Sequence, residues 1–188
     1  DSTHLLVDAR SGGSESAPPF GLPLPGGGFG SPNLVANGSF ELRGRPSLEG
    51  WRANNASLTS LVADPAPGGG GFALQLDADW APTTGYVTTP IPGARGAGIF
   101  RLSACVRSSS IDGGGTIALA VGKRYELATH VKQVSTTDAR WTRLGLVDTV
   151  TVTAGDTLWV VLSAPITEIA RRAGRYDRVV LERVPGRN

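Results

Sequence analysis

The chain is expected to be all-β, a two-sheet antiparallel sandwich, and three observations carry that expectation. Short runs that alternate apolar and polar residues, or are apolar throughout, fill the sequence from Leu34 to Arg183. Gly, Pro, Asn and Asp punctuate them at regular intervals. No βαβ spacing links the runs, so a parallel sheet with crossover helices is excluded.

Taken in order, the chain opens with an arm, residues 1–32, that carries seven Gly and five Pro, including G-L-P-L-P-G-G-G-F-G at 21–30. Such a composition buries too little surface to fold alone and is ordered only against its own sandwich or another chain. Phe20, Leu22, Leu24 and Phe29 are the expected docking anchors. At roughly 3.3 Å per residue, an extended arm of this length reaches a neighbouring polypeptide.

The body, 33–184, is expected to hold strands at 34–36, 58–63, 72–77, 85–89, 98–108, 116–121, 125–131, 141–147, 150–153, 157–164 and 175–183, followed by a short tail, 185–188. In F-R-L-S-A-C-V-R, period-2 geometry sends Phe100, Leu102, Ala104 and Val106 to one face and Arg101, Ser103, Cys105 and Arg107 to the other, the first set facing the core. The run L-W-V-V-L at 158–162 is apolar on both faces, which marks a central strand covered on both sides. A single helical turn over 166–172 is the one helical element expected. The glycine runs 68–71 and 113–115 read as hairpin-type loops; neither opens a helix, so neither is a phosphate cradle.

Composition narrows the function. A chain of 188 residues is about one domain. No apolar stretch approaches the roughly 18–20 residues of a membrane span. One cysteine, Cys105, excludes a disulfide framework and is expected to be a small buried hydrophobe. The net charge of +2 comes from a basic set of 16 Arg and only two Lys, with no basic stripe interleaved with aromatics, so nucleic-acid binding is not expected. The two histidines, His4 and His130, have neither a nucleophile elbow nor metal-ligand spacing around them, so catalysis is not expected.

Two motifs carry a family resemblance. N-L-V-A-N-G-S-F-E from Asn33 to Glu41, with Gly50-Trp51 after it, and R-Y-D-R-V-V-L-E from Arg175 to Glu182 resemble the opening and closing strands of carbohydrate-binding modules of the galactose-binding-like jelly-roll superfamily. In that family the two ends pair in space. The resemblance implies a jelly roll without catalytic function, working outside the cytoplasm, in the periplasm, at the cell surface or secreted. It also implies that Glu41 and Asp177 help hold one structural calcium together with backbone carbonyls, since calcium takes six to eight hard oxygens. Pairing of either carboxylate with Arg43, Arg175 or Arg178 is the competing expectation.

Sugar recognition in such modules uses exposed aromatic rings with polar groups beside them. Loop-borne Trp80 and Tyr86, with Asp77 and Asp79, are the expected sugar-binding set. Trp51 and Trp141 sit at positions that resemble the family's core-packing tryptophans, and Trp159 lies inside the most apolar strand. Two uses compete. One is an accessory or scaffold subunit that docks through its arm and loops onto other protein subunits of a larger complex, membrane-attached or free. The other is a module that binds a polysaccharide through its loop aromatics.

Overall fold

The alternating runs form strands, and their apolar faces meet. The computed structural model describes residues 32–78, 85–108, 114–164 and 172–185. The strands are β1 (Glu41–Leu42), β2 (Arg45–Pro46), β3 (Arg52–Ala53), β4 (Thr59–Val62), β5 (Ala73–Ala78), β6 (Tyr86–Ile91), β7 (Gly96–Ser108), β8 (Gly115–Gly122), β9 (His130–Thr136), β10 (Thr142–Val152), β11 (Thr157–Ser163) and β12 (Arg172–Val184). Helical structure among the described residues is limited to two 3-10 turns, Ala56–Leu58 and Tyr125–Leu127. Sheet I runs β10-β7-β12-β5-β4 and sheet II runs β3-β6-β11-β8-β9; β1 and β2 form a separate small ribbon. All pairings are antiparallel. From β5 to β8 the chain changes sheet at each strand, and it does so again from β9 to β12. The result is a jelly-roll sandwich.

The core lies between the sheets. Phe100, Leu102, Ala104 and Val106 enter it as their period requires, while Cys105 is buried on the other face of β7. β11 is the centre of sheet II, and Leu158, Val160 and Leu162 are sealed in the core. Tyr176 ties the sheets together: its hydroxyl donates to the Ser163 carbonyl at 2.5 Å and accepts from the Thr116 amide at 3.1 Å. Gly115 leaves the space the phenol occupies, since a Cβ there would collide with it.

The opening and closing motifs do meet. The Leu34 amide donates to the Leu181 carbonyl at 2.8 Å, and Asn33 bonds the Val179 carbonyl and the Leu181 amide. Gly38 lies so close to the Val179 carbonyl that any side chain would strike it, which is why the motif needs glycine there. Phe40 is fully buried against Trp51, ring centroids 5.4 Å apart.

Several expectations need correcting. Residues 34–36 are not a strand: isolated bonds, not a ladder, hold them to β12, and Asn37 turns the chain at φ 55°. The strand expected at 125–131 begins only at His130, after a 3-10 turn. The two strands expected at 141–147 and 150–153 are one, β10. Asp148, between the two expected runs, points inward at the sandwich edge, where His130 Nε2 lies 2.6 Å from its Oδ2 and Lys132 stands beside it. Trp141 is not in the core; it is half-buried under the Arg107 guanidinium, 5.3 Å from its ring centroid. Residues 68–71 do lie in a hairpin loop, joining β4 to β5, whereas of the run at 113–115 only Gly114 and Gly115 are described, and Gly115 opens β8. The arm and its anchors Phe20, Leu22, Leu24 and Phe29 lie outside the described residues. So does the helical turn expected over 166–172, apart from Arg172, which opens β12.

Candidate functional site

Two hairpin loops fold back over the outer faces of the sandwich, and each builds a distinct site. The first joins β4 to β5 and lies over the middle of β12, where the strand's register shifts after Asp177. There Asp177 is sealed from solvent. Its Oδ2 accepts from the Ala66 amide at 2.9 Å and its Oδ1 from the Arg178 amide at 2.6 Å. Glu41 Oε1 accepts from the amides of Gly71 and Phe72, the latter at 2.7 Å. A methyl group at Gly69 would land on the Asp177 carboxylate and one at Gly70 on that of Glu41, so the glycine run is what lets the backbone approach both acids.

Burial pushes the Asp177 carboxyl above its ordinary range, the two amide bonds oppose this, and the nearby Glu41 charge pushes it further up. Neither acid makes an ion pair among the described residues. Arg175 goes to Asp64 instead, and Arg178 donates to the Pro67 carbonyl at 3.0 Å. The side chains of Arg43, Arg175 and Arg178 make no ion pair with either carboxylate, although the Arg178 charge still acts on Asp177. Two neighbouring carboxylates, one of them buried, are hard oxygen donors of the kind a divalent cation takes, and the Arg178 charge beside them lowers the Asp177 carboxyl. Two carboxylates fall short of calcium's coordination number, so the carbonyls of the 66–71 loop would have to complete it.

The second loop joins β8 to β9 and folds over sheet II. On the outward side of β8 the residues are small: Thr116, Ala118, Ala120 and Gly122, in register with Ser163, Val161, Trp159 and Thr157 of β11. That leaves room for residues 123–129 to lie on the sheet. Ala118, Ala120 and Val161 form a second apolar cluster under Tyr125, Ala128 and Trp159. Gly122 tolerates no side chain, because the returning loop backbone occupies the space.

Between this flap and the outer side of β3 and β6 lies a groove of about 580 Å³. It is lined by Arg52, Asn54, Thr88 and Lys123, with three aromatic residues, Tyr86, Tyr125 and Trp159. Tyr86 and Tyr125 meet edge to face, centroids 5.1 Å apart. The Tyr86 hydroxyl donates to Glu126 Oε1 at 3.0 Å and the Trp159 indole N–H to the Gly122 carbonyl at 3.1 Å. Their polar atoms are thus already bonded and the rings are fixed. The Tyr86 phenol is pushed up to about 12 by burial and then by the Glu126 bond. Glu126 is lowered, first by its backbone amide and then by Tyr86. At neutral pH the pair is a phenol donating to a carboxylate. Trp159 stands opposite Pro90, four residues along β6 from Tyr86, which is roughly 14 Å at strand spacing and therefore more than one sugar ring long.

Of the expected sugar-binding set, Tyr86 is in the groove. Asp77 is not: it sits beyond the core on the outer face of sheet I, where Gln75 Nε2 donates to its Oδ1 at 3.2 Å. Trp80 and Asp79 lie outside the described residues. Tyr125 and Trp159 were missed. The signal that reveals them is the small-residue alternation in G-T-I-A-L-A-V-G, which leaves a shelf on one face of a strand whose other face is core.

No protein-family model matches the chain, and no curated protein sequence matches it. Solved structures do. The module TmCBM61, solved in complex with β-1,4-galactotriose, superposes at a TM-score of 0.57 with 19% identity, covering 82% of this chain and 100% of that one. A family 16 carbohydrate-binding module gives 0.60 with 18% identity, 79% and 99% covered. The CBM22-1 xylan-binding domain of Paenibacillus barcinonensis Xyn10C gives 0.56 with 17% identity, 84% and 98% covered. The fold is that of carbohydrate-binding modules. At these identities the likeness establishes the architecture and leaves ligand and site to the residues of this chain.

Proposed function

We propose that the chain is a glycan-binding module whose ligand lies across Tyr86, Tyr125 and Trp159. The carrying observation is three partly exposed aromatic side chains converging in one groove, with the polar atoms of Tyr86 and Trp159 already bonded. Pyranose rings have apolar C–H faces that stack on such rings, while Asn54, Arg52 and Glu126 stand within the groove to meet hydroxyl groups. The likeness to carbohydrate-binding modules supports this use over that of a scaffold subunit, whose docking arm lies outside the described residues. A binding role without catalysis, outside the cytoplasm, goes with the same reading. Among the described residues no helix is long and apolar enough to cross a membrane.

Glu41 and Asp177, with carbonyls of the 66–71 loop, are proposed to hold one structural calcium. When bound, it would neutralise the two neighbouring acids and fix the loop over β12.

Retention on a panel of soluble polysaccharides in native affinity gels tests the groove. The wild-type chain is expected to be retarded by at least one glycan, and Trp159→Ala to weaken binding about 30-fold, the scale of truncating a central aromatic anchor. If no glycan across a broad panel retards the wild-type chain, the glycan-binding reading is withdrawn.

A further inference from the structure

The groove has a charge as well as a shape. Three cations line it, Arg52 from β3 on one side and Lys123 and Arg124 from the flap on the other, against one carboxylate, Glu126. That carboxylate is already committed, since it accepts from Tyr86, and the charge of Arg124 acts on it. Arg52 and Lys123 make no ion pair among the described residues. On the outer face of sheet I the situation differs: Arg107 and Arg175 are both tied to Asp64, and Arg143 donates to Ser103. The groove therefore holds aromatic platforms for sugar rings together with cations that no described acid of this chain neutralises.

We infer that the groove takes an acidic glycan, one whose sugar rings carry carboxylates, with Arg52 and Lys123 binding the carboxylate while Trp159 and the tyrosines carry the rings. This rests on the glycan-binding reading and narrows it to a substrate class. A neutral polysaccharide would leave both cations facing only hydroxyl groups. A uronate meets Arg52 with two parallel hydrogen bonds and Lys123 with a point charge, and charge-assisted bonds of this kind are about twice as strong as neutral ones. Arg52 lies in register with Thr88 at the floor of the groove, so its guanidinium belongs to the same face as the stacking rings.

The test compares the full chain on polygalacturonate and glucuronoxylan, on the same polymers after chemical reduction of their carboxylates to alcohols, on a sulfated glycan and on neutral galactan. The expected result is retention about tenfold tighter on the uronates than on their reduced counterparts, the scale of one or two charge-assisted contacts. Raising salt should narrow that gap, and the double variant Arg52→Ala, Lys123→Ala should abolish it. Both substitutions are on exposed side chains, so folding is checked by an unchanged melt. Equal retention on native and reduced polymers overturns the inference and leaves the groove a neutral-sugar site. Preference for the sulfated glycan over both uronates overturns it in favour of sulfate. Retention on every polyanion that survives Trp159→Ala overturns it in favour of charge alone. Failure to bind any glycan removes the underlying reading itself, a different result from each of these.

Discussion

The two hairpin loops that fold back over the sandwich differ in how they use their backbone. The β4–β5 loop brings Gly69 and Gly70 against the Asp177 and Glu41 carboxylates so closely that a methyl group has no place. The β8–β9 loop instead sets Tyr125 on a shelf of alanines and leaves a groove open beside it. One flap consumes its space in backbone contacts and reads as architecture. The other leaves aromatic side chains partly in solvent and reads as a recognition surface. Backbone donors are fixed by the chain and suit a closed site, whereas ring faces are useful only where a ligand can reach them.

The sharpest way to break this contrast is a side chain in the closed flap. Gly70→Val should destabilise the protein by roughly 2–4 kcal/mol, lowering Tm by several degrees, because the loop must lift off Glu41. Leu127→Ala in the open flap, where the side chain is 65% exposed, should stay within about 0.5 kcal/mol. Equal melts for the two variants would erase the distinction.

Calcium sharpens the same comparison from the other side. With calcium a hundredfold above its dissociation constant, a ligand held only by the folded state adds about 2.7 kcal/mol, so a chelator should lower Tm and calcium restore it. That shift should persist in Trp159→Ala, since the groove is on the opposite sheet. A melt indifferent to chelator leaves Glu41 and Asp177 as acceptors for loop amides alone.

The smallest effect concerns pH at the open flap. Glu126 is held below its ordinary 4.5, so what the Tyr86–Glu126 bond contributes is present above that value and lost as pH falls through the lowered one. Tyr86 is raised from 10 to about 12, so at the alkaline end the contribution is lost as pH rises through that interval. Because Glu126 is exposed, the change in global stability should be slight. Near-ultraviolet absorbance should show the tyrosines ionising above their ordinary 10, Tyr86 at about 12, and Tyr86→Phe should remove one of the raised transitions. Titration of all tyrosines near 10 would mean that the ring pair is not held as described.

The sequence by itself determined the sandwich, the face of β7 that enters the core, the central place of β11 and the meeting of the N-G-x-F-E and Y-D motifs. The first three follow from period-2 patterning, which is a local property, and the fourth from the family resemblance that the two motifs carry. Only the tertiary structure decided which aromatics form the groove. Trp159 lies in a run that is apolar on both sides, and a sequence does not say whether the second face is covered by core or by a flap. Asp77 and Tyr86 are close in the chain yet end on opposite outer faces, because β5 and β6 belong to different sheets. Their separation arises from the crossing between the sheets, a long-range choice that local pattern does not encode.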